Sequence, residues 1–434
     1  MQLADKKHLK KLLKSNLLNI NPYKNGNHQR MRAFFILLLV CISAFAIAQT
    51  PQESFDTGLA KFKSGDYRSA ANEFTNAIIS DPSFVQAYRY RGLSKMQLED
   101  YSAALSDFDM MVKLDSGQSL GYYNRALAKF KLGDNEGALA DVSKSISIKT
   151  DFADAHLLRG QLYNLAGNFQ GALSEYNKAF DLNASSAENY AGRAWAKYKL
   201  KDYEGSIVDL DKAIELDNSK AEYFFNRGLT HAEMRYFTDA IRDFNMAVER
   251  DPAQPQYYYY RGMTRSEMRD FEGAINDYST AIRLDSNNYE FYKRRGLAKV
   301  RLRNSAAALE DLSKAVELAP AVADNYFNRG MAYSDNKQYA EALSDFNQAI
   351  ALDSATAWYY YYRGMVLYST DDIMAAYDDF SKATILNPTY AKAFEYKGLC
   401  EIRIGKKEEA CADFKKSESL GDKDALLQTK KYCY

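Results

Sequence analysis

The small, apolar and polar positions of this chain recur with a period of 34 residues. Cut from Pro51, the sequence gives eleven units that reach Asp424 without an insertion or deletion. One column reads Gly58, Gly92, Ala126, Gly160, Ala194, Gly228, Gly262, Gly296, Gly330, Gly364 and Gly398. Twelve residues later a second reads Ala70, Ala104, Ala138, Ala172, Ser206, Ala240, Ala274, Ala308, Ala342, Ala376 and Ala410. Two small residues per unit, one on each of two helices, let the helix backbones approach closely where they cross. The pattern predicts helix–turn–helix in every unit, and in the seventh it places the helices over 256–268 and 272–284. Asp270 stands just before the second of these, and Asp66, Asp100, Asp134, Asn168, Asp202, Asn304 and Asp372 share its column. Their side chains accept hydrogen bonds from the unpaired N–H groups of a helix start. Pro82, Pro252, Pro320 and Pro388 share a column beyond the second helix, where proline ends a helix and hands the chain to the next unit.

Two further columns carry opposite charge. One holds Arg91, Arg125, Arg159, Arg193, Arg227, Arg261, Arg295, Arg329 and Arg363, with Thr57 first and Lys397 last. Sixteen residues on stand Asp107, Asp141, Glu175, Asp209, Asp243, Asp277, Asp311, Asp345, Asp379 and Asp413; the first unit has Glu73 there without an arginine partner. Both columns flank the small-residue crossing, which predicts a ladder of ion pairs within or between units. The matched acidic column argues against an anion-binding arginine track, because a paired charge is not free for a ligand.

The repeat resembles the tetratricopeptide repeat family. The family's spaced aromatic and small residues stand in the seventh unit as Tyr258, Gly262, Phe271, Ala274, Tyr278 and Ala281, with Ser286 in the proline column. The resemblance covers residues 51–424, with 425–434 left as a tail or capping segment. It implies an all-α solenoid, a right-handed superhelix of eleven units, with a concave groove lined by first helices. It further implies that the fifth, ninth and twelfth residues of each unit face that groove. Here those positions supply Tyr123, Trp195, Tyr198, Phe225, Tyr259, Met263, Phe327, Met331, Tyr361, Met365 and Tyr368, with Trp358 at the rim. Tyrosine and tryptophan anchor protein interfaces and methionine adapts to varied surfaces, so the lining suits a partner segment. Aromatics at helical spacing are also core material. The four-tyrosine runs at 257–260 and 359–362 point around most of a helix, so some are core and some exposed. Asn124, Asn226 and Asn328 match one position of the family's carboxylate clamp, but Leu297, Trp358 and Tyr362 stand where its other members should be, which excludes that function.

Charge and the first residues add a compartment. Lys and Arg equal Asp and Glu at 57 each, yet residues 1–48 hold eight of the bases and only Asp5 of the acids. Residues 49–434 carry 49 basic and 56 acidic side chains, a net of −7, which disfavours a nucleic-acid partner. From Met31 the chain reads Met-Arg, an apolar run to Phe45, then Ala46-Ile47-Ala48. Positive start, apolar segment and Ala-x-Ala exit predict a secretory signal over 31–48, cleaved after Ala48. Its 16-residue apolar stretch is short of the roughly 20 residues of a spanning helix, so no membrane insertion is expected after cleavage. Residues 1–30 form a basic leader that places the true start at Met31 or gives the signal a long leading region. The protein is therefore expected in the periplasm or at the cell surface, with an uncleaved, membrane-anchored form as the alternative.

Candidate chemistry is thin. His156 falls in a column that is aromatic in nearly every other unit, His231 is likewise read as packed rather than catalytic, and no nucleophile elbow, metal cluster or phosphate loop is present, so neither enzyme activity nor a cofactor or metal is expected. Cys400, Cys411 and Cys433 lie in the last unit and tail. A bridge assigned to Cys411 and Cys433 would staple the final helices in an oxidising compartment, although sequence alone leaves the pairing open. The leading expectation is a scaffold that binds protein partners in the envelope. Self-association into a homo-oligomer and capture of a glycan on the aromatic groove are the alternatives.

Overall fold

The computed structural model describes residues 50–182 and 185–434. The predicted leader and signal, residues 1–48, lie outside the described residues. Among the described residues there are 23 helices and no strand. They form eleven helix pairs and a closing helix, an all-α solenoid. In the seventh unit the pair is α13 (Pro255–Glu267) and α14 (Phe271–Leu284), one residue earlier at both ends of the first helix and one earlier at the start of the second than the periodicity places them. The tail forms a helix of its own, α23 (Lys423–Tyr432), capped by Asp422. None of the described helices is long and apolar enough to cross a membrane. The chain divides into two compact units, one ending at Leu158 and one running from Arg159 to Tyr434.

Each predicted cap performs that role. Asp66, Asp100, Asp134, Asn168, Asp202, Asp270, Asn304 and Asp372 all accept a hydrogen bond from the backbone N–H three residues on. The glycine column has a more specific cause than close backbones. A Cβ added at Gly262, Gly330 or Gly398 would stand 2.8, 2.8 or 2.7 Å from the ring of Tyr278, Phe346 or Phe414, the large core residue of the second helix. Alanine replaces glycine at 126 and 194, where the opposing residue is the smaller Val142 or Leu210. Every unit with a ring at this place keeps glycine opposite it, and Gly296 stands opposite Leu312 as well.

The turn between paired helices demands a left-handed residue. Glycine supplies it at 65, 133, 167 and 405, but Glu99, Lys201, Arg235, Arg269, Arg303, Lys337 and Asp371 hold φ between 59° and 69° without being glycine. An L-residue in this conformation is disfavoured by about 1–2 kcal/mol, part of which glycine returns through its freer unfolded chain. Changing Arg269, Arg303 or Lys337 to Gly should each stabilise the array by about 0.5–1 kcal/mol. The three together should raise the urea midpoint, and an unchanged or lowered midpoint would contradict this account of the turn.

The charged columns meet inside each unit. From Arg91–Asp107 to Arg363–Asp379 and Lys397–Asp413, the closest contacts lie between 2.5 and 2.9 Å. Most arginines also reach back to the preceding unit: Arg227 to Asp211 at 2.5 Å, Arg261 to Asn245 at 2.7 Å and Arg363 to Asn347 at 2.6 Å. A tyrosine three residues earlier covers the guanidinium, as Tyr258 does for Arg261 at 5.4 Å and Tyr360 for Arg363 at 5.7 Å. Part of the abundance of tyrosine therefore serves the ladder. Four residues after the arginine a second basic side chain joins the carboxylate: Lys95, Lys129, Lys197, Arg265 or Lys299, or the His231 ring. In the first unit Lys61 holds Glu73 from that position. His231 belongs to this series, its Nδ1 2.9 Å from Asp243 Oδ2. Burial opposes the charge on Asp243, but hydrogen bonds from His231 and Arg227 outweigh it and keep the carboxyl below its ordinary range.

Candidate functional site

The fifth-position aromatics form wedges between successive repeats. Phe225 meets Phe244 of its own unit at 5.8 Å and Tyr257 of the next at 4.8 Å. Phe327 repeats this with Phe346 at 5.8 Å and Tyr359 at 5.2 Å. Tyr259 packs on Tyr278 and Phe291, and Tyr123 lies 4.8 Å from Phe152. These side chains are half-buried. Burial, with the Asp154 carboxylate nearby, pushes the Tyr123 hydroxyl up to about 12. Tyr361 corrects the expectation of a groove residue. It is 8% exposed, enclosed by Phe380, Tyr390 and Tyr396, and is core. Tyrosines at both sides of the joint close over it, which a column rule cannot foresee.

The ninth and twelfth positions differ from the fifth. Met331 packs partly on the core around Phe346, and Met365 and Tyr368 on the core around Phe380. Trp358 is 50% exposed, its ring edge-on to Tyr359. Trp195, Tyr198 and Met263 come together on one cavity of about 430 Å³. Its wall is built by three successive first helices, α9 (Ala187–Lys199), α11 (Ala221–Glu233) and α13, with Leu229, Phe237 and Tyr260 completing the apolar lining. Trp195 and Tyr198 stack at 5.4 Å and 19°, one helical turn apart, and Lys199 caps the indole at 4.4 Å. Burial pushes the Tyr198 hydroxyl up to about 12, helped by the Glu233 carboxylate that it meets. Lys199, Glu233, Arg235 and Glu267 stand at the rim.

A second cavity of about 190 Å³ adjoins the first. Met263 and Glu267 line both, and α15 (Tyr289–Arg301) contributes Arg294, Leu297, Ala298 and Arg301. The rim charges escaped the sequence reading. Their signal was present in the thirteenth column, where Lys199, Glu233, Glu267 and Arg301 hold charge on four consecutive first helices.

At the C-terminal end Cys411 and Cys433 form a disulfide with Cα atoms 5.7 Å apart, tying α22 (Lys407–Ser419) to the residue after α23. Cys400 is buried with a free thiol. Glu395, Asp422 and Asp424 bring three carboxylates together, but Lys392 Nζ lies 2.6 to 3.1 Å from all three and holds the position a cation would take.

Comparison with known families matches tetratricopeptide repeat models to residues 55–119, 123–187, 259–323 and 323–355, and a TPR repeat model to 194–234. No curated protein matches the chain. Among solved structures, MamA is 28% identical over 38% of this chain and 96% of its own, with a TM-score of 0.36. YrrB, described as a TPR protein with an unusual peptide-binding site, is 21% identical over 41% of this chain and 92% of its own, also at 0.36. A tetratricopeptide repeat protein from Parabacteroides merdae is 19% identical over 57% of this chain and 98% of its own, at 0.44.

Proposed function

Because the chain belongs to the tetratricopeptide repeat family, a family of protein-interaction scaffolds, we propose that it holds segments of partner proteins on the face built by the first helices of residues 187–301. The observation that carries this reading is the cavity floored by Trp195, Tyr198, Tyr260 and Met263. Large rings on a rigid helical wall offer apolar area with little ordering cost, and charges at the rim exclude non-specific apolar contact. We further propose that the protein acts outside the inner membrane, after cleavage behind Ala48. The capping box of Thr50 and Glu53 supports this reading, because it would let the folded array begin two residues after the cut.

The test compares the purified protein with a Trp195→Ala/Tyr198→Ala/Met263→Ala variant in capturing proteins from an envelope extract. The variant must first match the parent in helical circular dichroism, since all three side chains are only half-buried. A partner retained by the parent and reduced at least about tenfold on the variant is expected, on the scale of lost interface anchors. Equal recovery on both would move the function to another face. Intact mass of the protein recovered from the envelope checks export, with Gln49 expected as its first residue.

A further inference from the structure

Resting on the scaffold reading, a second property follows from how the two adjoining cavities differ in charge. The larger one carries two acids and two bases at its rim, Glu233 and Glu267 against Lys199 and Arg235. These cancel, so its apolar floor decides what enters. The smaller one is lined by Arg294 and Arg301 with Glu267 as its sole acid, a net positive charge. Neither guanidinium is satisfied in the manner of the ladder arginines. Arg294 meets the Tyr259 hydroxyl and reaches a carboxylate, Glu290, only at 3.8 Å, one it shares with Lys293, while its buried Nε has no hydrogen-bond partner. Among the described residues no carboxylate lies within ion-pair distance of Arg301, which is exposed. In a protein that pairs arginine with carboxylate in unit after unit, two adjacent guanidiniums in one cavity with spare donors call for an outside acceptor. A carboxylate suits them, because its two oxygens match the planar fork.

We propose that the partner segment is an extended peptide carrying a large apolar side chain and, three or four residues away, an acidic one. The apolar side chain seats on Trp195, Tyr198 and Met263, and the carboxylate lies between Arg294 and Arg301. The spacing comes from the helices. Neighbouring first helices stand about 8–10 Å apart, so the cavities are offset by roughly 10–15 Å, which extended chain covers in three or four residues at about 3.3 Å each. Glu267, on the shared wall, opposes the acidic residue and sets a limit on affinity.

Random 12-residue peptides displayed on phage, selected on the purified protein, test this. The expected consensus is Phe, Trp, Leu or Met with Asp or Glu three or four positions away. Synthetic peptides of that consensus should bind Arg294→Gln/Arg301→Gln and Trp195→Ala/Tyr198→Ala at least about tenfold more weakly, and Glu267→Gln more tightly. Selection on Arg301→Glu should exchange the acidic position for Lys or Arg. An apolar consensus without the acid, bound equally by the arginine variant, overturns this inference and leaves the scaffold reading intact. An acidic position seven residues from the anchor overturns the extended geometry in favour of a helical segment. Peptides that are indifferent to both double variants, or no enrichment at all, remove the inference and the binding face together.

Discussion

Replacing Arg363 by Ala should destabilise its repeat by about 3–5 kcal/mol, the range for stripping one partner from a buried ion pair. Arg261→Ala should cost markedly less, although the two arginines make nearly the same bonds. The difference lies four residues on. Asp277 keeps Arg265, whose Nη1 is 2.7 Å away, when Arg261 is lost. Asp379 has Leu367 at the corresponding position, and no cation besides Arg363 pairs with it among the described residues. Its side chain is 7% exposed, and burial already pushes its carboxyl above the ordinary range despite the hydrogen bonds from Arg363. A raised carboxyl means that stability is present below the unfolded pKa and lost as pH rises through the folded one. Without Arg363 that loss should deepen, so the gap between the variants should widen between pH 4 and pH 7. Hydrogen exchange over α19 (Ala357–Ser369) and α20 (Ile373–Leu386), read beside urea midpoints, resolves the effect unit by unit, as suits an array coupled through neighbours. The double change Arg363→Met/Asp379→Leu should recover most of the loss, because a buried pair exchanged for apolar residues of similar volume is often neutral or stabilising. Equal losses for Arg363→Ala and Arg261→Ala would mean that the second cation contributes nothing.

Most of the architecture was legible because a repeat states each rule many times. The cap at Asp270, the glycine at 262 and the pairing of Arg261 with Asp277 stand out because their columns hold through almost every unit. The candidate site was legible only in part, since a site is where the columns stop agreeing. Trp195 and Tyr198 were named from positions that face the groove in the family, and they line the cavity. Tyr361 was named by the same rule and is core, because Tyr390 at the end of its own unit and Tyr396 of the following one enclose it. Tyr260 was missed, as its role depends on which neighbouring first helices share a cavity and not on its own column, and Glu267 was missed although the thirteenth column carries charge. The second use of each arginine, toward the preceding unit, needed coordinates as well: Thr75, Asp109, Asn177, Asp211, Asn245, Ser279 and Asn347 form a polar column of no fixed type.

Where the ladder ends its charge is inverted, and there the C-terminal repeat should lose stability with rising pH. Lysine replaces arginine at 397, and the second-cation position is occupied by Glu401. Lys397 Nζ stands 2.7 Å from Asp413 and 3.4 Å from Glu401, so two carboxyls share one ammonium. Glu401 has a side chain 2% exposed and an Oε2 without a hydrogen-bond partner. Burial first, and Asp413 second, push its carboxyl up to about 7 against the pull of Lys397. Below the unfolded carboxyl value, about 4.3, Glu401 is protonated folded or unfolded and exerts no pH effect. Between there and neutrality the unfolded chain releases the proton and the folded one keeps it, so stability falls with pH and levels off above 7. At about 1.36 kcal/mol per pH unit the full loss is about 4 kcal/mol. It is confined to the last repeat and α23, which are held at the far side by the bridge between Cys411 and Cys433. Glu401→Gln keeps the shape and removes the proton, so its protection from hydrogen exchange over α21 (Ala391–Arg403) and α22 should be nearly level from pH 5 to pH 8 once the intrinsic exchange rate is divided out. Between pH 5 and pH 8 the parent's exchange should speed up about a hundredfold relative to the variant, the part of the loss that falls above pH 5. A parent as flat as the variant would show that Glu401 is ionised throughout, and the inverted rung would then be a stable anion pair bridged by Lys397.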